Sequence, residues 1–241
     1  MKRYICIVCV VVTTAAAWGK DRPASLLLKD EQVILWSDGY ELHLSWGGVT
    51  FDFEGCRIEL PRAPEAKSHI EPGTRIFESA FAPKPIESGG QLEACVLYES
   101  PPLGEDPLRK WVRFRVTGRT TPLLLREVVL ESIPLETRVA RTLPGEVQSY
   151  PVFLDGFFAG VEFPVASTRV ENNTLIVAHR PGWTIQPDTW YETRKAVFGW
   201  AKPGGELRAF KRYLMGHRPP PSGIHVNYNS WWTSSCPYYT E

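Results

Sequence analysis

Cysteines, histidine clusters, nucleophile motifs and long apolar runs are all scarce in this 241-residue chain, and each scarcity removes a class of function. Of the five cysteines, Cys6 and Cys9 lie in an N-terminal apolar stretch. Cys56, Cys95 and Cys236 are too few and too widely spaced for a disulfide framework or a zinc pattern. Cys56 and Cys95 either pair in an oxidising compartment or remain as two core thiols. The histidines His43, His69, His179, His217 and His225 share no ligand spacing, so neither a metal nor a cofactor is expected. There is no G-x-S-x-G, H-E-x-x-H, phosphate-binding loop or G-x-G-x-x-G, and so no motif-borne catalytic residue. Carboxylates are plentiful, but glycosidase chemistry needs two facing across one bond, and nothing in the sequence pairs Asp155 or Glu162 with a partner.

No apolar run reaches the roughly 20 residues a spanning helix requires. Met1 to Ala17 instead has the three parts of a secretory signal: basic Lys2 and Arg3, an apolar run from Tyr4 to Val12, and small Ala15, Ala16 and Ala17 before a cleavage point. The expectation is an exported protein, secreted or periplasmic, with no membrane contact after cleavage; a retained N-terminal anchor is the other reading. Without that segment 25 basic residues face 27 acidic ones, a balance of −2 that gives no electrostatic reason for a nucleic-acid or anionic-membrane partner. Asn172-Asn173-Thr174 is a glycosylation sequon, which matters only in a eukaryotic host.

What the chain does have is β-strand signal. Gln32 to Trp36 and Tyr40 to Trp46 flank Ser37-Asp38-Gly39, and Gly47-Gly48 leads into Val49 to Phe53, which predicts a meander of hairpins. Lys110 to Thr117 alternates, with Trp111, Arg113 and Arg115 on one face and Val112, Phe114 and Val116 on the other. Arg75 to Ala82, Gln91 to Tyr98, Leu123 to Leu130, Thr174 to His179 and Glu192 to Trp200 are further strands between Pro- or Gly-bearing turns. With 21 prolines and little helical periodicity, residues 18–203 read as a large all-β sandwich.

One segment, 204–218, is helical instead: Leu207, Phe210, Tyr213 and Leu214 fall on one stripe, with Arg208, Lys211 and Arg212 facing away. Pro219-Pro220-Pro221 is a stiff spacer suited to a domain junction. Ile224 to Tyr228 then reads as a new buried strand delivering Asn229, Ser230, Trp231 and Trp232 to a loop. A barrel enzyme builds a sugar pocket in that way, but a (β/α)₈ barrel needs roughly 250 residues. The expectation for residues 219–241 is therefore a linker and the first strand of a truncated barrel.

Aromatic rings pack on the C–H faces of sugars while neighbouring Asn and Asp bind hydroxyls. Tyr228, Asn229, Trp231 and Trp232 are the substrate-binding candidates on this ground. Trp183, Trp190, Tyr191 and Trp200 either serve the same purpose or fill the sandwich core and rim. Asp155-Gly156, inside Tyr150 to Pro164, is either a hairpin tip or part of a loop that offers Asp155 to a neighbouring pocket.

The order of signal, β-rich domain, Phe157-Phe158-Ala159-Gly160-Val161-Glu162-Phe163-Pro164, Pro181-Gly182, the Ala209-Phe210-x-x-Tyr213-Leu214 helix and Asn227-Tyr228-Asn229-Ser230-Trp231-Trp232 resembles α-galactosidase-like glycoside hydrolases of family 36 and their relatives. The resemblance implies a β-supersandwich ahead of a (β/α)₈ catalytic barrel. Tyr228-Asn229-Ser230-Trp231 is similar to the Trp-Asn-Ser-Trp string that opens that barrel, with Tyr228 standing where the relatives carry the pocket-lining Trp. The implied reaction is retaining, on a galactoside-type oligosaccharide or glycan, with two aspartates from later barrel strands. No residue of this chain inherits those roles, so a fragment inactive by itself is expected, assembling as a homo-oligomer in full-length form. A stand-alone carbohydrate-binding sandwich and a structural sandwich for cell-surface contact are the competing readings.

Overall fold

Period-two alternation dictates the architecture: a strand that is apolar on one face can bury it only against a second sheet. The computed structural model describes residues 25–29, 32–37, 40–45, 48–60, 76–99, 107–135, 140–142, 150–162 and 166–217. The expected signal segment, the Pro219-Pro220-Pro221 spacer, the strand expected from Ile224, and Tyr228, Asn229, Trp231 and Trp232 lie outside the described residues.

The strands are β1 (Ser25–Lys29), β2 (Gln32–Ser37), β3 (Tyr40–Ser45), β4 (Val49–Phe53), β5 (Cys56–Leu60) and β6 (Ile76–Ala80). Then come β7 (Lys84–Pro85), β8 (Gln91–Glu99), β9 (Leu108–Thr117), β10 (Leu123–Pro134), β11 (Arg141–Thr142) and β12 (Val152–Leu154). β13 (Phe157–Val161), β14 (Ala166–Glu171), β15 (Thr174–His179), β16 (Trp183–Ile185), β17 (Tyr191–Glu192) and β18 (Ala196–Trp200) lead to the helix α1 (Glu206–His217).

Strands β1, β2 and β3 form a small antiparallel sheet. A six-stranded sheet runs β14-β15-β10-β4-β5, with β16 beside β10. A nine-stranded sheet runs β11-β12-β13-β18-β9-β8-β6, with β17 on β9 and β7 on β8. The two larger sheets share one core, to which Phe51, Phe53, Leu125 and Val177 contribute from the first and Leu92, Val112, Phe114 and Phe198 from the second. Across the join, the rings of Phe51 and Phe114 meet edge to face with centroids 5.0 Å apart. The expected all-β sandwich is therefore present.

Several local expectations are redrawn. The meander stops at β3, because β4 leaves it to pair with β10 on one side and β5 on the other. The segment from Glu192 to Trp200 is two strands, not one: Thr193 breaks it by exchanging hydrogen bonds with Val112, its N–H donating to the carbonyl at 2.9 Å and its Oγ1 accepting at 3.0 Å. Leu123 starts a strand that runs on to Pro134, with register shifts near Arg126 and Leu130. Asn172 and Asn173 hold φ of 48° and 59° at the tip of the β14–β15 hairpin, the paired left-handed conformation of a type I′ turn. Cys56 and Cys95 sit in different sheets as free thiols.

In the helix Phe210 and Tyr213 face inward and Arg208, Lys211 and Arg212 outward as expected, but the edges of the stripe shift. Ala209, Phe210 and Tyr213 pack on Phe153, Phe158 and Val197, while Leu207 and Leu214 are 39% and 48% exposed. The cause is Glu206: its Oε1 accepts from the N–H of Gly156 and of Gly204, each at 2.9 Å, and its Oε2 is 3.4 Å from Arg141 Nη2. Drawing a carboxylate inward at the first helical position fixes the phase of every later side chain. A close approach completes the seat, since a Cβ on Gly199 would fall 2.0 Å from the Phe158 ring.

Candidate functional site

The outward face of β9 carries Arg109, Trp111, Arg113 and Arg115 at every second position, because Leu108, Lys110, Val112 and Phe114 face the core. Each arginine meets a carboxylate from another strand or its flank. Arg115 Nη2 donates to Glu93 Oε2 at 2.7 Å, and Arg113 Nη2 to Glu78 Oε1 at 3.0 Å. Arg109 Nε donates to Glu162 Oε1 at 2.8 Å, and its Nη1 is 3.6 Å from Glu99 Oε2. Lys195 Nζ donates to the same Glu99 oxygen at 2.7 Å and lies 4.4 Å from the centre of the Trp111 ring. Four cations thus face four carboxylates, and this part of the face is electrically balanced.

At the α1 end the face deepens into a cleft of about 560 Å³. Phe158, Val161, Val197, Phe210 and Leu214 form its apolar wall, and Arg109, Glu162, Lys195, Tyr213 and His217 its polar end. The Tyr213 hydroxyl donates to Glu162 Oε1, and Arg109 Nη2 contacts His217 Nε2. His217 Nδ1 lies 3.0 Å from the Tyr213 carbonyl. Burial, followed by the hydrogen bond and charge of Glu162, pushes the Tyr213 hydroxyl well above the usual phenol range, so it is a neutral donor at physiological pH. Burial alone would raise Glu99, but Lys195 and Arg109 override it and hold the carboxyl below its ordinary value. Fixed donors and acceptors beside an apolar wall suit the binding of a polar ligand with apolar faces.

Among the described residues no group of three or more His, Cys, Asp or Glu side chains is arranged to hold a metal. No helix among them is long and apolar enough to cross a membrane.

Asp155 stands at the two-residue tip between β12 and β13, where Gly156 takes φ of 80°. Its Oδ1 is 3.7 Å from Arg141 Nη2, on the guanidinium that also meets Glu206. Asp155 is thus at the helix seat and does not line the cleft. Trp183 and Tyr191 pack on each other at 5.8 Å, with Tyr191 also on Phe114, and Trp200 is partly buried against the core. Trp190 is different: it is 47% exposed, with Arg115 and Arg113 at 4.8 and 5.6 Å from its ring.

Arg109, Glu162, Lys195, Tyr213 and His217 were not singled out by the sequence as a set. The alternation of β9 pointed toward Arg109, but one residue beyond the expected strand start. The others are brought to it by β13, β18 and α1, whose registers no local pattern encodes. Neither the scan against protein-family models nor the search of curated proteins finds a match for this chain.

Proposed function

We propose that residues 25–217 are the non-catalytic β-sandwich domain of a secreted, retaining glycoside hydrolase of the α-galactosidase type, acting with a galactoside-type oligosaccharide or glycan. One observation carries the reading: the last sandwich strand, β18, is followed directly by α1, which is clamped onto the outer sheet face and ends ten residues before Asn227-Tyr228-Asn229-Ser230-Trp231. That is the order of parts in the α-galactosidase-like enzymes that the sequence resembles. In those enzymes the nucleophile and the acid/base belong to the barrel, so the sandwich positions and supports and performs no bond cleavage.

The test combines the coding sequence 3′ of the Glu241 codon with hydrolysis of p-nitrophenyl α-galactoside. Barrel-coding sequence with two strand-end aspartates is expected, with hydrolysis by the longer product and none by the 241-residue chain. Hydrolysis by the 241-residue chain itself, or no barrel-coding sequence in any frame, overturns the reading. A second reading, a carbohydrate-binding sandwich without chemistry, is favoured by the exposure of Trp190 on the same outer face.

A further inference from the structure

We propose that Trp190 is the platform of a neutral-oligosaccharide subsite on the outer face of the nine-stranded sheet, with Arg113 and Arg115 stacked beneath the ring as its support. This rests on the carbohydrate reading above and adds a location and a ligand class to it.

Continuing the register Tyr191↔Phe114 and Glu192↔Arg113 by one residue places Trp190 beside Arg115. Both guanidinium groups lie within 5.6 Å of the ring centre, and each is braced by a carboxylate, Glu93 for Arg115 and Glu78 for Arg113. The segment carrying the ring is tied down as well. Asp188 N–H donates to the Val116 carbonyl at 2.8 Å, and Gln186 N–H to the Tyr191 hydroxyl at 2.9 Å. One side of the indole is thus occupied by a fixed cationic layer, and 47% of the residue still meets solvent. A held aromatic ring with an open side fits the C–H face of a pyranose and loses little rotamer freedom on binding.

Charge selects the class of sugar. Arg113 and Arg115 are matched by Glu78 and Glu93, so the platform has no surplus positive charge to draw a uronate, a sulfated glycan or a nucleic acid. The next outward aromatic along β9, Trp111, is only 6% exposed, so the subsite takes a single stacked residue of a longer chain.

The test is affinity electrophoresis and calorimetry of the 241-residue chain with soluble galactomannan, with polygalacturonate as the charged counterpart. Retardation by galactomannan and none by polygalacturonate is expected. Trp190→Ala should weaken galactomannan binding at least about tenfold while keeping the parent's circular dichroism and melting temperature, because the ring is half exposed, and Trp190→Phe should be intermediate. Equal binding by Trp190→Ala overturns the proposal, as does preference for polygalacturonate or the absence of any neutral-glycan binding. None of these results alters what the coding sequence beyond Glu241 shows, so the subsite and the glycosidase reading fail separately.

Discussion

Lys110 Nζ lies 2.8 Å from Glu131 Oε2, and both side chains are wholly buried. The lysine belongs to β9 and the glutamate to β10, so this ion pair spans the two facing sheets. Lys110 Nζ also donates to the Gly48 carbonyl at 3.2 Å and sits 5.5 Å from the centre of the Tyr98 ring. Burial disfavours the ammonium, yet Glu131 and Tyr98 hold the Lys110 pKa above its ordinary value. Removing one partner strands the other charge in the core, so Lys110→Met and Glu131→Gln should each cost about 3–5 kcal/mol. The double variant Lys110→Met/Glu131→Leu should recover most of that loss. Urea unfolding of the set checks this, and single-variant losses below about 1 kcal/mol would contradict it.

His179 sets the acid limb of stability. It is 1% exposed, meets Trp183 edge to face at 5.3 Å, and accepts from the Arg194 N–H through Nδ1 at 3.4 Å. Burial, then the charge of Arg194, lowers its pKa from 6.5 to about 4. The unfolded chain therefore binds a proton that the folded one refuses, and stability falls as pH drops from 6.5 toward 4, by about 1.4 kcal/mol per unit. Glu99, Glu127 and Glu206 act in a separate window. Burial alone would raise each of them, but Lys195 and Arg109, Arg169 and Arg180, and the Gly156 N–H respectively lower them. Their contribution is present above the carboxylate value of 4.5 and is lost only as pH falls through the lowered values. Unfolding free energies between pH 4.5 and 7 should slope in the parent and flatten in His179→Phe; parallel slopes would remove His179 as the cause.

Glu206 fastens α1. Glu206→Ala leaves the N–H groups of Gly156 and Gly204 without their acceptor and Arg141 with Asp155 alone, at a cost of about 1–3 kcal/mol. The loss should be local. Hydrogen exchange in Leu207–His217 should accelerate while that of β9 and β10 holds, and uniform acceleration would mean that the helix is not an independent unit.

Most strands were legible because their cause is local. Val112, Phe114 and Val116 alternate with Arg113 and Arg115 whatever lies beside them, and the hairpin-tip alternative for Asp155-Gly156 is the one observed, whereas Asn172-Asn173 reads in the sequence as a sequon and not as the turn it forms. Partner choice was not legible. The departure of β4 from β3, and the break at Thr193, depend on β10 and β9, which are distant in sequence. In α1 Phe210 and Tyr213 face inward as expected, and only Leu207 and Leu214 at the edges of the stripe do not, because counting apolar residues ignores a glutamate that goes inward where two backbone amides require it. The cleft needs β9, β13, β18 and α1 at once, so its members could be named only after assembly. Four of the five residues expected to bind substrate, Tyr228, Asn229, Trp231 and Trp232, fall outside the described residues.

The register of β10 also governs how the chain must fold. Its Val129 lies against Thr50, far earlier in the chain, and its Pro134 against Thr174, well after it. The middle of the six-stranded sheet therefore cannot close until both distant segments have emerged and found it, an entropic delay that places such topologies on the millisecond-to-second scale. Until then β10 presents two unsatisfied edges, which makes this span the point most exposed to intermolecular pairing during folding.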